Sequence, residues 1–354
     1  MDLVQFESDT FTQLDQLLNR GEHTSVWVLM DENTAALCFP VLEKALKLTG
    51  IKKIVLPAGE QYKNIDSCQL IWQTLLNGKA DRKALLLNLG GGVIGDMGGF
   101  SAVTYKRGID FIQIPTTLLA QVDASVGGKL GIDFGGVKNA IGSFHEPLMT
   151  FIHSGFLKTL PERELRSGFA EVIKHCLIAD AGYWNLIREV KTLNDPKIDW
   201  NDIIAHSVSL KSKIVDQDPK EMGLRKILNF GHTIGHAVES LSWETDNPLL
   251  HGEAVAFGMI CEAFLSKQLL RLTEAALLEI TAYISTIYPY CKFEKFNTDS
   301  FFELLWNDKK NNGKIQFSLL NEIGYCSYNI EVPENLILES ISFYDSVYDS
   351  VYGK

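Results

Sequence analysis

Leu85-Leu86-Leu87-Asn88-Leu89-Gly90-Gly91-Gly92-Val93-Ile94-Gly95-Asp96 is the stretch that decides the fold of the first half of this chain. A run of strand character passes straight into glycines that satisfy G-x-G-x-x-G. Glycines there allow a tight turn out of the strand. They also let backbone N–H groups at the start of the next helix approach a pyrophosphate. Alone the signature is weak, because a glycine turn also serves close packing. The usual dinucleotide fingerprint follows the first strand, whereas at least two strand-like runs precede it here.

Outward from this point the pattern repeats. Residues 26–30, 53–57 and 111–115 are further strand-like runs, and 66–76 has helical length and period. Strands that are apolar throughout, alternating with helices, predict a parallel sheet covered on both faces. After about residue 155 helical periods dominate, at 161–179, 200–216, 229–241, 251–272 and 273–288. Strand-like runs at 314–319 and 325–332 interrupt them. The expected architecture is an α/β N-terminal domain (1–155) with a parallel, Rossmann-like sheet, followed by a mostly α-helical C-terminal domain (156–354). The active site is expected in the cleft between them, since domain interfaces are preferred ligand sites. The repeated Tyr344, Tyr348 and Tyr352 read as an aromatic stripe on a terminal helix.

The composition narrows the function. The 354 residues are 46% hydrophobic and 22% charged, and 33 Lys+Arg stand against 44 Asp+Glu, a formal charge of −11. That balance argues against nucleic acid or a membrane surface as a partner. Six scattered cysteines without a C-x-x-C pair read as reduced thiols. The acidic start lacks a basic, apolar leader pattern, and the expected location is cytoplasmic.

Polar residues cluster where ligands would need them. Glycines continue through Gly98, Gly99, Gly127, Gly128, Gly131, Gly135, Gly136 and Gly142, more than packing turns require, among Arg107, Thr116, Thr117, Asp123, Lys129, Lys138 and Asn139. Backbone amides and lysines of such loops suit a phosphate-bearing ligand. Asn229, His232 and His236 fall at i, i+3 and i+7, which puts all three on one helical face. Glu171 and Lys174 share a face on an earlier helix, and His251 opens a later one. Glu171, one of the two helix histidines and His251 would make an N/O ligand set for a catalytic zinc. Spacing does not say which histidine completes it. Lys211, Asp216, Asp218, Glu221 and Arg225 form a charge mixture that would ordinarily be a solvated face, and residues 308–313 an ordinary polar turn.

Together these residues resemble a known family. Gly90 to Asp96, Arg107, the run Pro115 to Asp123, Gly127-Gly128-Lys129 and Lys138-Asn139 look like the N-terminal signature of 3-dehydroquinate synthases. Ala170 to Lys174, Asp216 to Glu221, Leu228 to His236 and the run from His251 to Val255 look like their C-terminal signature. The resemblance runs in order from about residue 25 to 320.

It implies an NAD- and zinc-dependent enzyme (cobalt being a substitute) of the shikimate route to aromatic amino acids. A small sugar phosphate, 3-deoxy-D-arabino-heptulosonate 7-phosphate, would become 3-dehydroquinate and phosphate. The implied course is transient oxidation, phosphate elimination, re-reduction, ring opening and intramolecular aldol closure. Carried over residue by residue, the resemblance makes Glu171, His232 and His251 the metal ligands and leaves His236 for acid–base work. Asp31, Asn33, Glu60, Lys63, Gly91, Gly92, Val93, Asp96, Thr116, Thr117, Lys138, Phe156 and Thr159 would meet NAD. Substrate would meet Asp123, Lys129, Asn139, Lys174, Lys211, Arg225, Asn229 and one of Lys309 or Lys310, with Glu221 as proton acceptor. Arg107 would serve the neighbouring subunit's phosphate site, which implies a homodimer. Two residues depart from the family's pattern: Leu130 stands where threonine is common, and Val137 where glycine is. Both fall in a loop expected to touch ligand, and neither removes a group with an assigned role. Rival readings are another sugar phosphate cyclase or a related metal-dependent polyol dehydrogenase.

Overall fold

Every residue of the strand Ala84–Gly90 is buried. Leu85, Leu87 and Leu89 join the apolar core on one face of the sheet, with Val26, Val28 and Met30. Leu86 joins the core on the other face, with Trp27, Leu29, Ile54 and Leu56. Alternate residues thus serve opposite cores, as a strand covered on both sides demands. Each buried leucine contributes about 1.5–3 kcal/mol of transfer free energy.

The computed structural model describes residues 3–8, 11–47, 49–124, 126–135, 137–243, 245–291, 298–308 and 315–352. The chain forms two compact units, Met1–Pro161 and Glu162–Lys354. The 3₁₀ turn Ser154–Thr159, which the change of pattern near residue 155 would assign mostly to the second half, belongs to unit 1 because Phe156 is buried in its core.

In unit 1 the order is β1 (Val4–Phe6), α1 (Thr12–Leu18), β2 (Ser25–Asp31), α2 (Glu32–Leu37), α3 (Phe39–Ala45), β3 (Lys52–Leu56), α4 (Ile65–Asn77), β4 (Ala84–Gly90), α5 (Gly92–Thr104), β5 (Asp110–Pro115), β6 (Lys129–Phe134), β7 (Val137–Phe144) and β8 (Met149–Ile152). Six strands form one parallel sheet in the order β1-β8-β5-β4-β2-β3. From β2 the chain runs outward to β3, then crosses back to β4 on the other side. The carboxyl ends of β2 and β4 therefore flank a topological switch point, the usual ligand position of open α/β sheets. The glycine turn follows the fourth strand in chain order, since the three-residue β1 also precedes it.

Residues 129–144, expected as a ligand loop, form the antiparallel hairpin β6–β7. Leu130 is buried, and a β-carbon on Gly99 would lie 2.3 Å from its Cδ2. A β-carbon on Gly98 would meet Asn88 Oδ1 at 2.1 Å, and one on Gly142 the Leu130 carbonyl oxygen at 2.2 Å. Packing therefore accounts for these three glycines. Gly92 differs, because a β-carbon there finds its nearest neighbour, Ala124 Cβ, at 3.9 Å. Val137 is exposed on β7.

Unit 2 carries α6 (Glu162–Ala179), α7 (Ala181–Ile187), α8 (Trp200–Gln217), α9 (His232–Ser242), α10 (His251–Leu269), α11 (Glu274–Ile287), α12 (Thr298–Asp308), β9 (Gln316–Glu322), β10 (Tyr325–Glu331) and α13 (Glu334–Tyr352). Helix α10 is buried on all sides from Ala254 to Ala263 and packs against α6, α9, α11 and α13. It is the central helix of the unit, as an all-round apolar helix must be. Tyr344 and Tyr348 of α13 are buried, so the repeated tail motif is a packing stripe at those positions.

The helix expected over 229–241 begins three residues later. Residues Leu224–Asn229 form a 3₁₀ turn, and Gly231 caps α9 in the left-handed region at φ 79°. A β-carbon on Gly231 would lie 2.6 Å from Met259 Cγ and 3.0 Å from the Val255 carbonyl oxygen of α10. Asn229 therefore lies before the helix, and the one-face argument holds for His232 and His236 alone.

Candidate functional site

Three helices of unit 2 meet at glycines. A β-carbon on Gly252 would lie 1.8 Å from the Ser167 carbonyl oxygen, and one on Gly258 would lie 1.9 Å from that of Gly231. Backbone-to-backbone approach is what brings the first residue of α10, His251, and the first of α9, His232, to the middle of α6. There Glu171 is wholly buried. Its Oε1 is 3.4 Å from His232 Nε2 and 3.6 Å from His251 Nε2. One ligand atom from each lies within 4.8 Å of the others.

The remaining nitrogens of the two rings are occupied. His232 Nδ1 is 3.1 Å from the Phe230 carbonyl oxygen, and His251 Nδ1 is 3.1 Å from Glu239 Oε2. Both rings thus present Nε2 towards Glu171. Glu171 Oε2 meets the Lys174 ammonium, and Oε1 faces both imidazole nitrogens. A buried carboxylate facing two imidazole nitrogens suits a divalent cation, and an N₂O donor set is of the catalytic-zinc type. His236 stands close by, its ring centroid 5.1 Å from that of His232 and 5.8 Å from that of His251.

The electrostatics follow from burial and neighbours. Burial would raise the Glu171 carboxyl, but the Lys174 ammonium in contact with it, together with His232 and His251, holds it well below the usual range. Burial and Lys174 push His232 well down. For His251 burial is outweighed by hydrogen bonds to Glu171 and Glu239, which raise it to about 10.

Arg225 is 2% exposed, so it is no solvated face. Its Nη1 donates to the Pro219 carbonyl at 2.8 Å. The Asp218 carboxylate holds the same turn by accepting from the backbone N–H groups of Met222, Gly223 and Arg225. Within it Glu221 has φ 57° and accepts from Asn229 Nδ2 at 3.1 Å. Lys211 is buried, whereas Asp216 is exposed. Lys309 and Lys310 lie outside the described residues.

In unit 1 the N-cap of α5, Gly91, offers no side-chain cap, and no acidic residue occupies the first turn. An open helix N-terminus of this kind accepts a phosphate. Thr116 and Thr117 follow the carboxyl end of the adjacent β5, where Thr116 N donates to the Gly90 carbonyl at 3.0 Å. Lys63 Nζ reaches Asp96 Oδ2 at 2.6 Å and Asn139 Oδ1 at 2.7 Å. The Asn139 backbone N–H donates to Asp133.

The 3-dehydroquinate synthase N-terminal family matches residues 53–167, and the 3-dehydroquinate synthase C-terminal family matches residues 168–311. A 3-dehydroquinate synthase of Parabacteroides distasonis is 44% identical over 339 residues, covering 95% of this chain and 96% of the relative. The chain belongs to the 3-dehydroquinate synthase family. A solved 2-epi-5-epi-valiolone synthase from Streptomyces hygroscopicus, with NAD+ and Zn2+ bound, superposes with a TM-score of 0.85 at 25% identity, over 97% of this chain and 96% of that one. A 2-deoxy-scyllo-inosose synthase complexed with carbaglucose-6-phosphate, NAD+ and Co2+ shares the fold, with a TM-score of 0.81 at 23% identity over 96% and 95% of the two chains.

Among the positions that family resemblance points to, several have structural duties as well. Asp31 accepts from Thr34 N at 2.8 Å and so caps α2. Phe156 is buried with its ring edge-on to His153. With Thr159 it lines a cavity of about 870 Å³ beside Leu37, Pro40, Lys44 and Lys158. Asn33, Glu60 and Arg107 are exposed, Arg107 with φ 70°. Glu239, which contacts His251, is absent from the sequence-derived candidates. Its signal was the spacing His232, His236, Glu239 at i, i+4 and i+7, forward along the helix from the histidines.

Proposed function

We propose that this chain is a 3-dehydroquinate synthase, converting 3-deoxy-D-arabino-heptulosonate 7-phosphate to 3-dehydroquinate and phosphate with NAD and one divalent metal, zinc or cobalt. The observation that carries the reading is the convergence of Glu171, His232 and His251 in a chain 44% identical to a 3-dehydroquinate synthase over nearly its whole length. Glu171, His232 and His251 hold the metal, and Gly91, Gly92, Val93 and the threonines after β5 hold NAD, with Asp31, Asn33, Glu60, Lys63, Asp96, Lys138, Phe156 and Thr159. When bound, the metal supplies Lewis acidity at an alcohol oxygen, and NAD supplies a reversible hydride acceptor.

The chain's own residues do the rest. Lys129, Lys174, Lys211 and Arg225, with Arg107 from a neighbouring subunit, balance the substrate's phosphate and carboxylate. This places positive charge locally in a protein of net charge −11. Glu221 accepts a proton, its Oε1 oriented by Asn229, and His236 serves as a second proton carrier. Asp123 and Asn139 position hydroxyl groups, and holding the open chain in reactive geometry assists the final ring closure. The enzyme acts as a cytoplasmic homodimer. Among the described residues no helix is long and apolar enough to cross a membrane.

Phosphate release from the heptulosonate phosphate, with and without a chelator, tests the reading. Chelator-sensitive release without NADH accumulation is expected. NADH accumulating with glycerol, and no phosphate release, would place the chain with the polyol dehydrogenases instead.

A further inference from the structure

Glu239 is a carboxylate with no part in the function proposed above, yet it is 6% exposed and lies against the metal-ligand set. It stands on α9 seven residues after His232 and three after His236, so that one helix face presents all three. Its Oε2 reaches across to the next helix, 3.1 Å from His251 Nδ1. A carboxylate accepts only, so the Nδ1 proton stays on the ring, and Nε2 is the position left for a metal in place of a proton. His232 has the same arrangement with a different partner, the neutral carbonyl oxygen of Phe230.

The backbone around His251 is anchored independently of the Glu239 side chain. Leu249 N donates to Ser242 Oγ at 2.9 Å, and Leu250 N to Glu253 Oε2 at 2.9 Å. Glu253 is itself held by Arg163, and Gly252 N donates to Ser167 Oγ at 3.0 Å. Removing the Glu239 charge therefore leaves the start of α10 in place and frees the His251 ring.

We propose that Glu239 is a positioning residue for the divalent metal: through its hydrogen bond to Nδ1 it holds the His251 ring with Nε2 towards Glu171 and strengthens that nitrogen as a donor. The inference rests on the metal-binding reading of Glu171, His232 and His251. Carboxylates placed behind a ligating histidine typically contribute about 10- to 100-fold in metal affinity.

The test is a Zn2+ titration of the full chain against a chromogenic chelator, comparing wild type, Glu239→Gln, Glu239→Asp and His251→Ala. Metal affinity should fall about 10- to 100-fold in Glu239→Gln. NAD binding should change little, and Glu239→Asp should recover part of the metal affinity because the charge returns. Affinity within about twofold of wild type in Glu239→Gln, with His251→Ala impaired, overturns the role of Glu239 alone. Equal binding by wild type and His251→Ala overturns the site reading itself. Imidazole nitrogen NMR of the zinc-loaded wild type gives a readout that needs no variant to fold. A proton on His251 Nδ1 is expected, and metal coordination at Nδ1 would sink the proposal.

Discussion

The carbonyl oxygen of Ser167 occupies the place a side chain on Gly252 would need, 1.8 Å from an added β-carbon. Ser167 lies one helical turn before Glu171, and Gly252 follows His251. This glycine therefore sets how closely the first residue of α10 approaches the carboxylate on α6.

Gly252→Ala should force the two backbones apart. The overpacking should cost on the order of 1–3 kcal/mol of stability, read by chemical denaturation. Bound metal should fall as well, because His251 moves with the helix start. A variant with wild-type stability and full metal content would show that α10 can shift at no cost.

His236→Ala should keep its metal through dialysis, while Glu171→Ala, His232→Ala and His251→Ala lose theirs. The expectation follows from which nitrogens face Glu171. Metal analysis of the four variants decides it, and retention in His232→Ala with loss in His236→Ala would exchange the two histidines.

Arg225→Lys should reduce kcat/KM with the heptulosonate phosphate about thirty- to several-thousand-fold, the equivalent of about 2–5 kcal/mol. A lysine cannot reproduce a bidentate contact to a carboxylate. Nor can it both keep the Nη1 bond to Pro219 and offer a second arm to substrate. Metal and NAD binding should be retained, and normal turnover would move carboxylate recognition to Lys129 or Lys211.

Asp218 gives a pH dependence with a definite sign. Burial works against its charge, but hydrogen bonds from Gly223, Met222 and Arg225, with the Arg225 charge, hold its carboxyl below the usual value. A folded-state pKa below the unfolded one means stability that is present above the unfolded value and lost as pH falls through the folded one. Asp218→Asn should therefore be less stable than wild type at neutral pH, with the difference shrinking in acid. Denaturation curves across that range check it, and a pH-independent difference would assign the effect to shape, not charge.

Much of the fold was legible because its signals are local. The helices Ile65–Asn77, Glu162–Ala179, Trp200–Gln217 and His251–Leu269 agree with the expected periodic stretches to within a few residues. So do the hairpin strands Gln316–Glu322 and Tyr325–Glu331. β1 and β8 were illegible, being three and four residues long, with a pairing that joins Val4 to Thr150. The hairpin β6–β7 was hidden in a glycine-rich stretch whose spacing resembles a loop.

What the sequence by itself determined is the inventory: an apolar strand entering a glycine turn, a carboxylate and three histidines at helix positions, and basic groups in an acidic chain. These depend on residue type and short spacing. Tertiary structure alone decided that α9 starts at His232, because Gly231 must pass beneath Met259 and Val255 of α10. It also decided which imidazole nitrogens face Glu171, because partners far along the chain or across a turn occupy the others. Hydrogen bonds such as that between His251 and Glu239 and backbone contacts such as that between Gly252 and Ser167 depend on how helices pack, and no periodicity within one helix encodes the position of its neighbour.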